Sequence, residues 1–329
     1  MSKYIIKRIL WMIPVLFGVI LIVFSISHFA PGDPVMAMLG NNYTEELYAA
    51  KAHEYGLDVP FWQQFFTYIA NIVTKFDFGK SYSTGLAVGS EMAFRIGTTL
   101  KLGLFSVAMS IVLGILFGLL SAVKQYSVWD YLVTIFAMFF AAMPNFWLAL
   151  MAQLLFSLKL GWFPATGFET WKHYVLPIVC GGLSGLAVLT RMTRSSMLEV
   201  IRADYIRTAR AKGLKESVII RRHALKNALI PVVTVVGMQL GMIMGGSVII
   251  ETIFSIPGLG LFMMNGITNR DYPVINGSVL LISTTICVLN LLVDIAYAYI
   301  DPRIMAQYTS GKKKKKAKTA ASAPAAKEA

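Results

Sequence analysis

Charged residues are scarce in this 329-residue sequence, and acidic residues are the scarcest of them. Only 14% of the chain is charged, with 17 Asp and Glu against 30 Lys and Arg, whereas an average soluble domain carries about 25%. Hydrophobic residues make up 56%, and the mean hydropathy is +0.63. This composition excludes an ordinary soluble domain and predicts an all-α integral membrane protein.

Cysteine and histidine are also rare, with two and four residues respectively. Cys180 and Cys287 lie in apolar stretches, which favours buried thiols over a disulfide framework. The histidines lie in separate segments without the spacing of metal ligands. No serine, cysteine or carboxylate stands at motif spacing from a base. The sequence therefore predicts no metal site, no cofactor bound by this chain and no enzymatic active site.

Long apolar runs are what the sequence has in their place. A helix needs about 20 apolar residues to cross about 30 Å of hydrocarbon. We predict six membrane spans, of which the fourth is short and continues into the arginines that follow it. The predicted spans are Ile9–Phe29, Leu100–Val123, Leu132–Phe156, Val175–Thr190, Leu229–Ile250 and Val279–Ile300.

Basic residues are unevenly distributed between the loops on the two sides of these spans. With the N-terminus inside, 22 of the 30 lysines and arginines fall on the inner side and 7 on the outer side. Since positive residues are retained on the cytoplasmic side, both termini are predicted to be cytoplasmic, in a prokaryotic inner membrane. The same rule explains the net charge of +13 without a nucleic-acid partner.

The spans divide the chain into four parts. Residues 1–30 form a cytoplasmic N-terminus and an uncleaved first span, because the apolar run is not followed by a signal-peptidase site. Residues 31–99 form an extracytoplasmic segment, whose run "FWQQFFTYIANIV" predicts an amphipathic helix packed near the membrane. Residues 100–305 form a five-helix core. Residues 306–329 read as a disordered basic cytoplasmic tail, which either contacts anionic membrane lipid or only aids solubility.

Two kinds of residue stand out within the spans. Glycines recur every fourth residue, which predicts close helix packing and is also compatible with helices that move past one another. These glycines are Gly114 and Gly118, Gly181 and Gly185, and Gly237, Gly241 and Gly245. The ionisable residues Lys101, Glu251 and Asp294 lie near the membrane, and a structural partner or interfacial position is favoured over a transport role for each.

A basic loop, residues 191–228, separates spans four and five. Ser196 and Glu199 have capping-box spacing, which predicts a helix start, and Gly213 predicts its left-handed stop. On this helix Ile206 lies between Arg202 and Arg210. That row is either an apolar docking residue for a second protein or an exposed basic face, and the pattern alone leaves the two even.

The loop resembles the cytoplasmic signature loop of ABC importer permeases, which runs E-A-A, three residues, Gly, and later a Leu-Pro pair. Here Arg207, Thr208 and Ala209 take the E-A-A positions, Gly213 is the glycine, and "IP" closes the motif. The arginine and threonine depart from the general pattern and resemble the peptide-permease branch. So do "APGDP", "YGLDVP", "FDFGKS", "ETIFSIPGLG", "RDYPV" and "DPRI", which together cover nearly the whole chain.

The resemblance implies a type I ABC importer permease with a cytoplasmic coupling helix between spans four and five. It implies a second permease subunit, two ATPase subunits that bind ATP and Mg²⁺, an extracytoplasmic binding protein and a peptide substrate. The implied ATPase-coupling residues are Arg202, Ala203, Asp204, Tyr205, Ile206, Arg207, Thr208, Ala209, Arg210, Ala211, Lys212 and Gly213.

A candidate gate follows span five, where helix-breaking residues interrupt the apolar sequence near an acidic residue. Irregular backbone at membrane depth is tolerated only against protein or a water-filled cavity, so this stretch is predicted to turn back toward the translocation path. Its residues are Glu251, Pro257, Gly258, Leu259 and Gly260.

Two alternatives to peptide import stay open. One is a permease for nickel chelates, as in some relatives of the branch. The other is an ion-coupled secondary transporter, for which Asp294 is the plausible coupling carboxylate. No sequence motif identifies the residues that contact the substrate.

Overall fold

The protein is built from helices throughout the described residues, 2–40 and 43–300 of a computed structural model. Thirteen α-helices follow one another, and π-helical segments at Gln153–Lys159 and Ile219–Ala224 lie directly after α7 and directly before α11. The α-helices are α1 (Ser2–Phe29), α2 (Pro34–Leu39), α3 (Glu45–Glu54), α4 (Phe61–Lys75), α5 (Val88–Val123), α6 (Val128–Ala142), α7 (Asn145–Ala152), α8 (Lys172–Ile201), α9 (Asp204–Ala211), α10 (Glu216–Val218), α11 (Leu225–Phe254), α12 (Leu259–Asn269) and α13 (Tyr272–Ile300).

Within that part of the chain, five helices are long and apolar enough to cross a membrane, or up to seven if each of two bent pairs is one span. This supports a multi-pass membrane protein and leaves the predicted number of six within the range. The predicted basic tail at 306–329, and the "DPRI" motif at 301–304, lie outside the described residues.

The third predicted span, Leu132–Phe156, is wrong as one continuous helix. Helix α6 ends at Ala142, and the helical stretch that begins at Asn145 is bent by 104° from it. The cause is Pro144, which cannot donate a backbone hydrogen bond and forces the preceding residue out of the helical region. Met143 accordingly has extended backbone angles, φ −84° and ψ 130°.

The predicted helix start at Ser196 is also wrong. Helix α8 runs without a break through this position to Ile201, so the fourth predicted span does continue past its arginines. Instead of capping a helix, the buried Ser196 hydroxyl donates to the carbonyl of Ala228 at 2.8 Å. This bond joins α8 to α11 near the end of the bundle that carries the basic loop.

Helices α5 and α8 form the closest pair in the bundle, and glycines set their separation. A β-carbon at Gly114 would lie 2.6 Å from the Cβ of Leu189, and one at Gly118 would lie 2.7 Å from the carbonyl of Thr190. Both glycines are buried against α8. Close packing, one of the two interpretations of the glycine spacing, is therefore what this seam shows.

A buried ion pair fastens the same helices to α6. The Arg194 Nε and Nη2 atoms of α8 donate to the two carboxylate oxygens of Asp130 on α6, at 2.8 and 2.9 Å. Nε also donates to the Ser121 hydroxyl of α5 at 2.9 Å, and Ser121 donates to Asp130. Because Asp130 is only 3% exposed, the pairing with Arg194 keeps its charge from being buried alone.

The segment after α1 folds back on the bundle, and its predicted amphipathic helix is present as α4. Phe65 of α4 is completely buried, with its ring centroid 5.4 Å from that of Phe24 on α1. The opposite face leaves Trp62 and Phe66 more than half exposed. These contacts pack the aromatic run against α1, whereas its position against the membrane or a partner subunit stays a prediction.

We expect Gly118→Ala to destabilise the protein by about 1–3 kcal/mol, because the added methyl forces α5 and α8 apart against backbone atoms. Thermal unfolding of the purified protein would measure this. Gly97→Ala is the matched control, since Gly97 lies on the same helix and no atom is within 4 Å of its added carbon. Equal unfolding temperatures for the two variants would contradict the close-packed seam.

Candidate functional site

A large cavity, here called the central cavity, lies in the bundle between α5, α8 and α11. Its volume is about 760 Å³, which is within the usual range of ligand pockets. The lining is mainly apolar or glycine, interrupted by neutral polar side chains. Those polar residues are Ser106, Ser110, Asn145, Ser184, Gln239 and Ser247.

Hydrogen bonds hold most of these polar groups in place. Ser184 of α8 donates to the Asn145 Oδ1 atom at 2.7 Å, which ties the start of α7 to the cavity wall. Gln239 of α11 donates from Nε2 to the carbonyl of Gly185 at 3.0 Å. Ser110 donates to the carbonyl of Gly182 across the helix interface. The cavity therefore presents fixed neutral dipoles to whatever enters it.

The candidate gate residues come together in a tight elbow between α11 and α12, which are bent by 77° from each other. Helix α11 ends with Ser255 in the left-handed conformation, and the amide of Ile256 donates to the Glu251 carbonyl at 2.9 Å. The Glu251 side chain then accepts from the amides of Gly260 and Leu261 through one oxygen, at 2.7 and 3.1 Å. The Glu251 carbonyl thus accepts a hydrogen bond at the C-terminal end of α11, and its carboxylate caps the N-terminal end of α12.

The glycines of the elbow allow this close approach. A β-carbon at Gly260 would lie 2.6 Å from the Cα of Val248, and one at Gly258 would lie 2.6 Å from Glu251 Oε1. Leu259 is fully buried, and its amide donates to the Thr99 hydroxyl of α5 at 2.8 Å. The predicted abrupt break is confirmed, and the elbow is packed against α5. Pro257, the remaining candidate, is half-buried at the turn.

The candidate coupling residues form α9 and its ends, but their exposure differs from the expected pattern. Ile206, expected to be on the surface as either a docking residue or an exposed side chain, is completely buried. It packs in a cluster with Met197, Ile219 and Ala224 from the helices on both sides of the loop. The expectation of an exposed apolar residue was wrong, because the apolar face of so short a helix is already needed for packing.

The exposed surface of α9 is polar and basic, with Tyr205 45% exposed beside Arg207 and Thr208. Arg210 of the same helix donates to both carboxylate oxygens of Glu216, at 2.7 and 3.1 Å. These hydrogen bonds lower the pKa of Glu216 below its ordinary value.

Gly213 has the left-handed conformation that was predicted for it, with φ +75°. In the part of the chain that the structure describes, no atom lies within 4 Å of a β-carbon built there, so the position is restricted by its backbone angles and not by space. Helix α9 has already ended at Ala211 when the chain reaches it. The turn re-aims the chain toward α10 and α11.

Helix α11 connects the two candidate regions, since the loop leads into its first residue and the elbow follows its last. Thirty residues at about 1.5 Å each give a length of about 45 Å, enough to cross a bilayer. Between these ends α11 also supplies one wall of the central cavity. One helix therefore borders all three regions: the basic loop, the central cavity and the elbow.

The polar cavity residues were missed by sequence reasoning, although four of the glycines that it singled out line the cavity: Gly181, Gly185, Gly241 and Gly245. A usable signal was present, because Ser106 and Ser110 stand four residues apart on α5, and Gly181 and Ser184 three apart on α8. These spacings mark one small and polar face in each helix. The glycine pattern alone suggested packing, and only the arrangement of three helices shows that these faces surround a common space.

The remaining ionisable residues have separate positions. Asp294 of α13 forms an ion pair with Arg8 of α1 at 3.0 Å, which is a structural partner of the kind expected. Lys101 is exposed. Among residues 2–40 and 43–300 there is no group of three or more His, Cys, Asp or Glu side chains that could hold a metal ion.

Comparison with known proteins gives the same fold. Over 64% of this chain, the structure matches the inward-facing MetNI methionine ABC transporter, with a TM-score of 0.55, 19% identity and 96% of that chain covered. An amino acid ABC transporter with histidines matches with a TM-score of 0.52, 11% identity and 94% coverage. At these identities the likeness concerns the fold.

Sequence relatives cover almost the full chain. The dipeptide transport system permease protein DppB of Alkalihalophilus pseudofirmus is 41% identical over 332 residues, covering 92% of this chain and 99% of that protein. The glutathione transport system permease protein GsiC of Escherichia coli K12 is 40% identical over 304 residues, with the same coverage. The N-terminal family of binding-protein-dependent transport system membrane components matches residues 1–102. Residues 114–306 match a second family, so the chain belongs to the binding-protein-dependent transport system inner membrane components.

Proposed function

We propose that this chain is a permease subunit of an ATP-driven importer and that the central cavity is its share of the path for short peptides. The cavity carries the proposal, because it lies among membrane helices and offers neutral hydrogen-bonding groups at fixed positions. Amide groups of a peptide can exchange their water for such partners without an ion pair. The names of the dipeptide and glutathione permease relatives support this substrate class.

The proposal includes partners that supply what this chain lacks. Two cytoplasmic ATPase subunits bind ATP and Mg²⁺, a second permease subunit completes the path, and an extracytoplasmic binding protein delivers the peptide. Both termini and the loop 191–228 face the cytoplasm, and residues 31–99 face the opposite side. The positive-inside distribution of Lys and Arg supports this orientation.

Coupling to the ATPases occurs through the segment Arg202–Gly213. The exposed face around Tyr205 and Arg207 makes the contact, while buried Ile206 fixes α9 to α8 and α11 so that force on the loop is transmitted. The elbow at Glu251 and Gly258–Gly260 is the gate at the other end of α11. Its capped backbone lets α11 and α12 move as one unit.

Reconstituted importer distinguishes this proposal from its alternatives. Uptake of a labelled dipeptide into proteoliposomes should require internal ATP and the ATPase partners, and it should be insensitive to a protonophore. Uptake driven by an ion gradient without ATP would establish a secondary transporter. Uptake of a nickel chelate, with no dipeptide transport, would establish the nickel permease.

Filling the central cavity should block transport without unfolding the protein. Gly245 lines the cavity, and no atom of the described residues lies within 4 Å of a β-carbon built there, so Gly245→Phe has room to fold. We expect at least tenfold lower dipeptide uptake at an unchanged membrane level. Gly18→Phe on α1 is the matched control because its added carbon is equally uncrowded but lies away from the cavity. Normal uptake in Gly245→Phe would remove the cavity from the path.

The elbow should depend on the side-chain oxygen at position 251. Glu251→Ala removes the acceptor of the buried Gly260 amide and of the half-buried Leu261 amide, so we expect a loss of about 1–3 kcal/mol for the first and less for the second, together with loss of uptake. Glu251→Gln keeps an oxygen and should retain most of the stability. Thermal unfolding and dipeptide uptake are measured together, with the exposed Glu199→Ala as the control. Equal stability of the Ala and Gln variants would show that the cap is unimportant.

The backbone at Gly213 should matter for coupling and not for membrane insertion. Gly213→Val places a β-branched residue at φ +75°, at a strain of about 1–2 kcal/mol, whereas Gly213→Asn tolerates this conformation. We expect both variants to be present in the membrane at normal levels. Peptide-stimulated ATP hydrolysis should be lost in Gly213→Val and kept in Gly213→Asn. Equal ATP hydrolysis and peptide transport by importers carrying Gly213→Val and Gly213→Asn would show that the turn has no role in coupling.

A further inference from the structure

A second cavity lies outside the path described so far. It measures about 550 Å³ and is formed where the ends of α1, α3 and α4 meet residues 78–82 and the start of α13. We call it the tyrosine pocket, after four lining residues that set its character: Tyr55, Tyr68, Tyr82 and Tyr272. Unlike the central cavity, it also has charged residues at its lining, Glu54 and Lys80, both of them exposed.

Three tyrosine rings form one wall of this pocket. The ring centroids of Tyr55 and Tyr82 are 4.9 Å apart at 69°, and those of Tyr82 and Tyr272 are 6.1 Å apart at 63°. Steeply inclined rings present a face and an edge in turn, and a ring face attracts an ammonium group. Tyr55 already does so on one side, where the Lys51 ammonium lies 5.6 Å from its centroid.

The pocket also contains a polar group without a partner. The Tyr68 hydroxyl is buried and makes no hydrogen bond to any described residue. Burial, and then the charge of Asp77, raises the pKa of Tyr68, so the phenol stays neutral and can both donate and accept. Beside it in the lining are the buried pair Ser27 and Asn276, joined by a 3.3 Å hydrogen bond. A buried hydroxyl without a partner is unfavourable unless a ligand supplies one.

A buried negative charge lies behind the tyrosine wall. The Asp271 carboxylate is 1% exposed and accepts hydrogen bonds from the Ser81 hydroxyl at 2.6 Å and from the Ser83 amide at 3.1 Å and hydroxyl at 2.9 Å. These donors are all neutral, so they stabilise the charge without cancelling it. Asp271 thus favours a cation at Tyr82, the middle ring of the wall, whereas Arg270 contributes positive charge at Tyr272 and Lys80 contributes it in the lining.

We propose that the tyrosine pocket binds a short zwitterionic peptide, with its ammonium group against the tyrosine wall and its carboxylate toward Lys80. The Tyr68 hydroxyl and the Asn276 amide serve the peptide group between these ends. This assignment rests on the proposed function. It adds a second peptide-binding site, which recognises the charged ends of the peptide. The described polar lining of the central cavity is neutral. The peptide then enters this cavity without ion pairs to its charged termini.

The test measures binding directly, on the assembled importer purified without its binding protein and without phosphatidylethanolamine. Radiolabelled Ala-Ala is the probe in equilibrium dialysis, and the Gly245→Phe background fills the central cavity so that the signal reports on the tyrosine pocket. We expect Tyr68→Phe to weaken binding about five- to tenfold, the effect of one buried hydrogen bond. Lys80→Gln should weaken binding of Ala-Ala but not of Ala-Ala amide.

The control is Tyr126→Phe, which makes the same chemical change at a tyrosine that is 73% exposed between α5 and α6. Affinities in Tyr68→Phe and Lys80→Gln equal to this control would overturn the assignment. So would loss of Ala-Ala binding in nanodiscs containing phosphatidylethanolamine, which would identify a lipid headgroup as the occupant. ATP-driven uptake without measurable binding would refute only this pocket, whereas absence of ATP-driven dipeptide uptake in the unmodified importer would refute the proposed function.

Discussion

The constraint on which this structure depends is that a backbone group in hydrocarbon has no water to bond with. Every interruption of a helix at membrane depth must therefore find partners within the protein. At the elbow after α11, the Thr99 hydroxyl accepts from the first amide of α12 and the Glu251 carboxylate accepts from the next two. At the break after α6, Pro144 has no backbone N–H group that needs an acceptor. The amide of Leu148 donates to the Pro144 carbonyl. At the elbow the free amides are thus satisfied locally, by the Glu251 and Thr99 side chains.

The same constraint explains what the sequence could and could not predict. Apolar length identified most of the long helices, because this signal concerns each helix alone. The prediction that span three is one continuous helix was wrong, because a hydropathy average does not detect the effect of the single proline at position 144. The Ser196 prediction failed for a related reason: a serine followed by a glutamate three residues later is a cap only where a helix begins, and here the hydroxyl serves Ala228 on another helix.

The candidate site was predictable to different degrees in its three parts. The left-handed Gly213 and the break at Pro257 and Gly258 follow from local chemistry, and both are present. The burial of Ile206 does not follow from its helix, because its partners Met197 and Ile219 come from the elements before and after it. The central cavity is further still from the sequence, since it exists only where three helices leave space between them. Its polar residues are recognisable afterwards as one face on each helix.

Charged side chains are distributed differently around the central cavity and the tyrosine pocket. In the bundle, Glu251 and Asp130 are each engaged by specific donors, and the described lining of the central cavity is left with neutral dipoles. A fixed charge in that cavity would bind one end of a peptide strongly and slow its release, because electrostatic attraction grows as water is excluded. The charged side chains of the tyrosine pocket, Glu54 and Lys80, are exposed instead, and water weakens such attraction there. In the function proposed above, a peptide is held by its charged ends in the tyrosine pocket and by its amide groups in the central cavity.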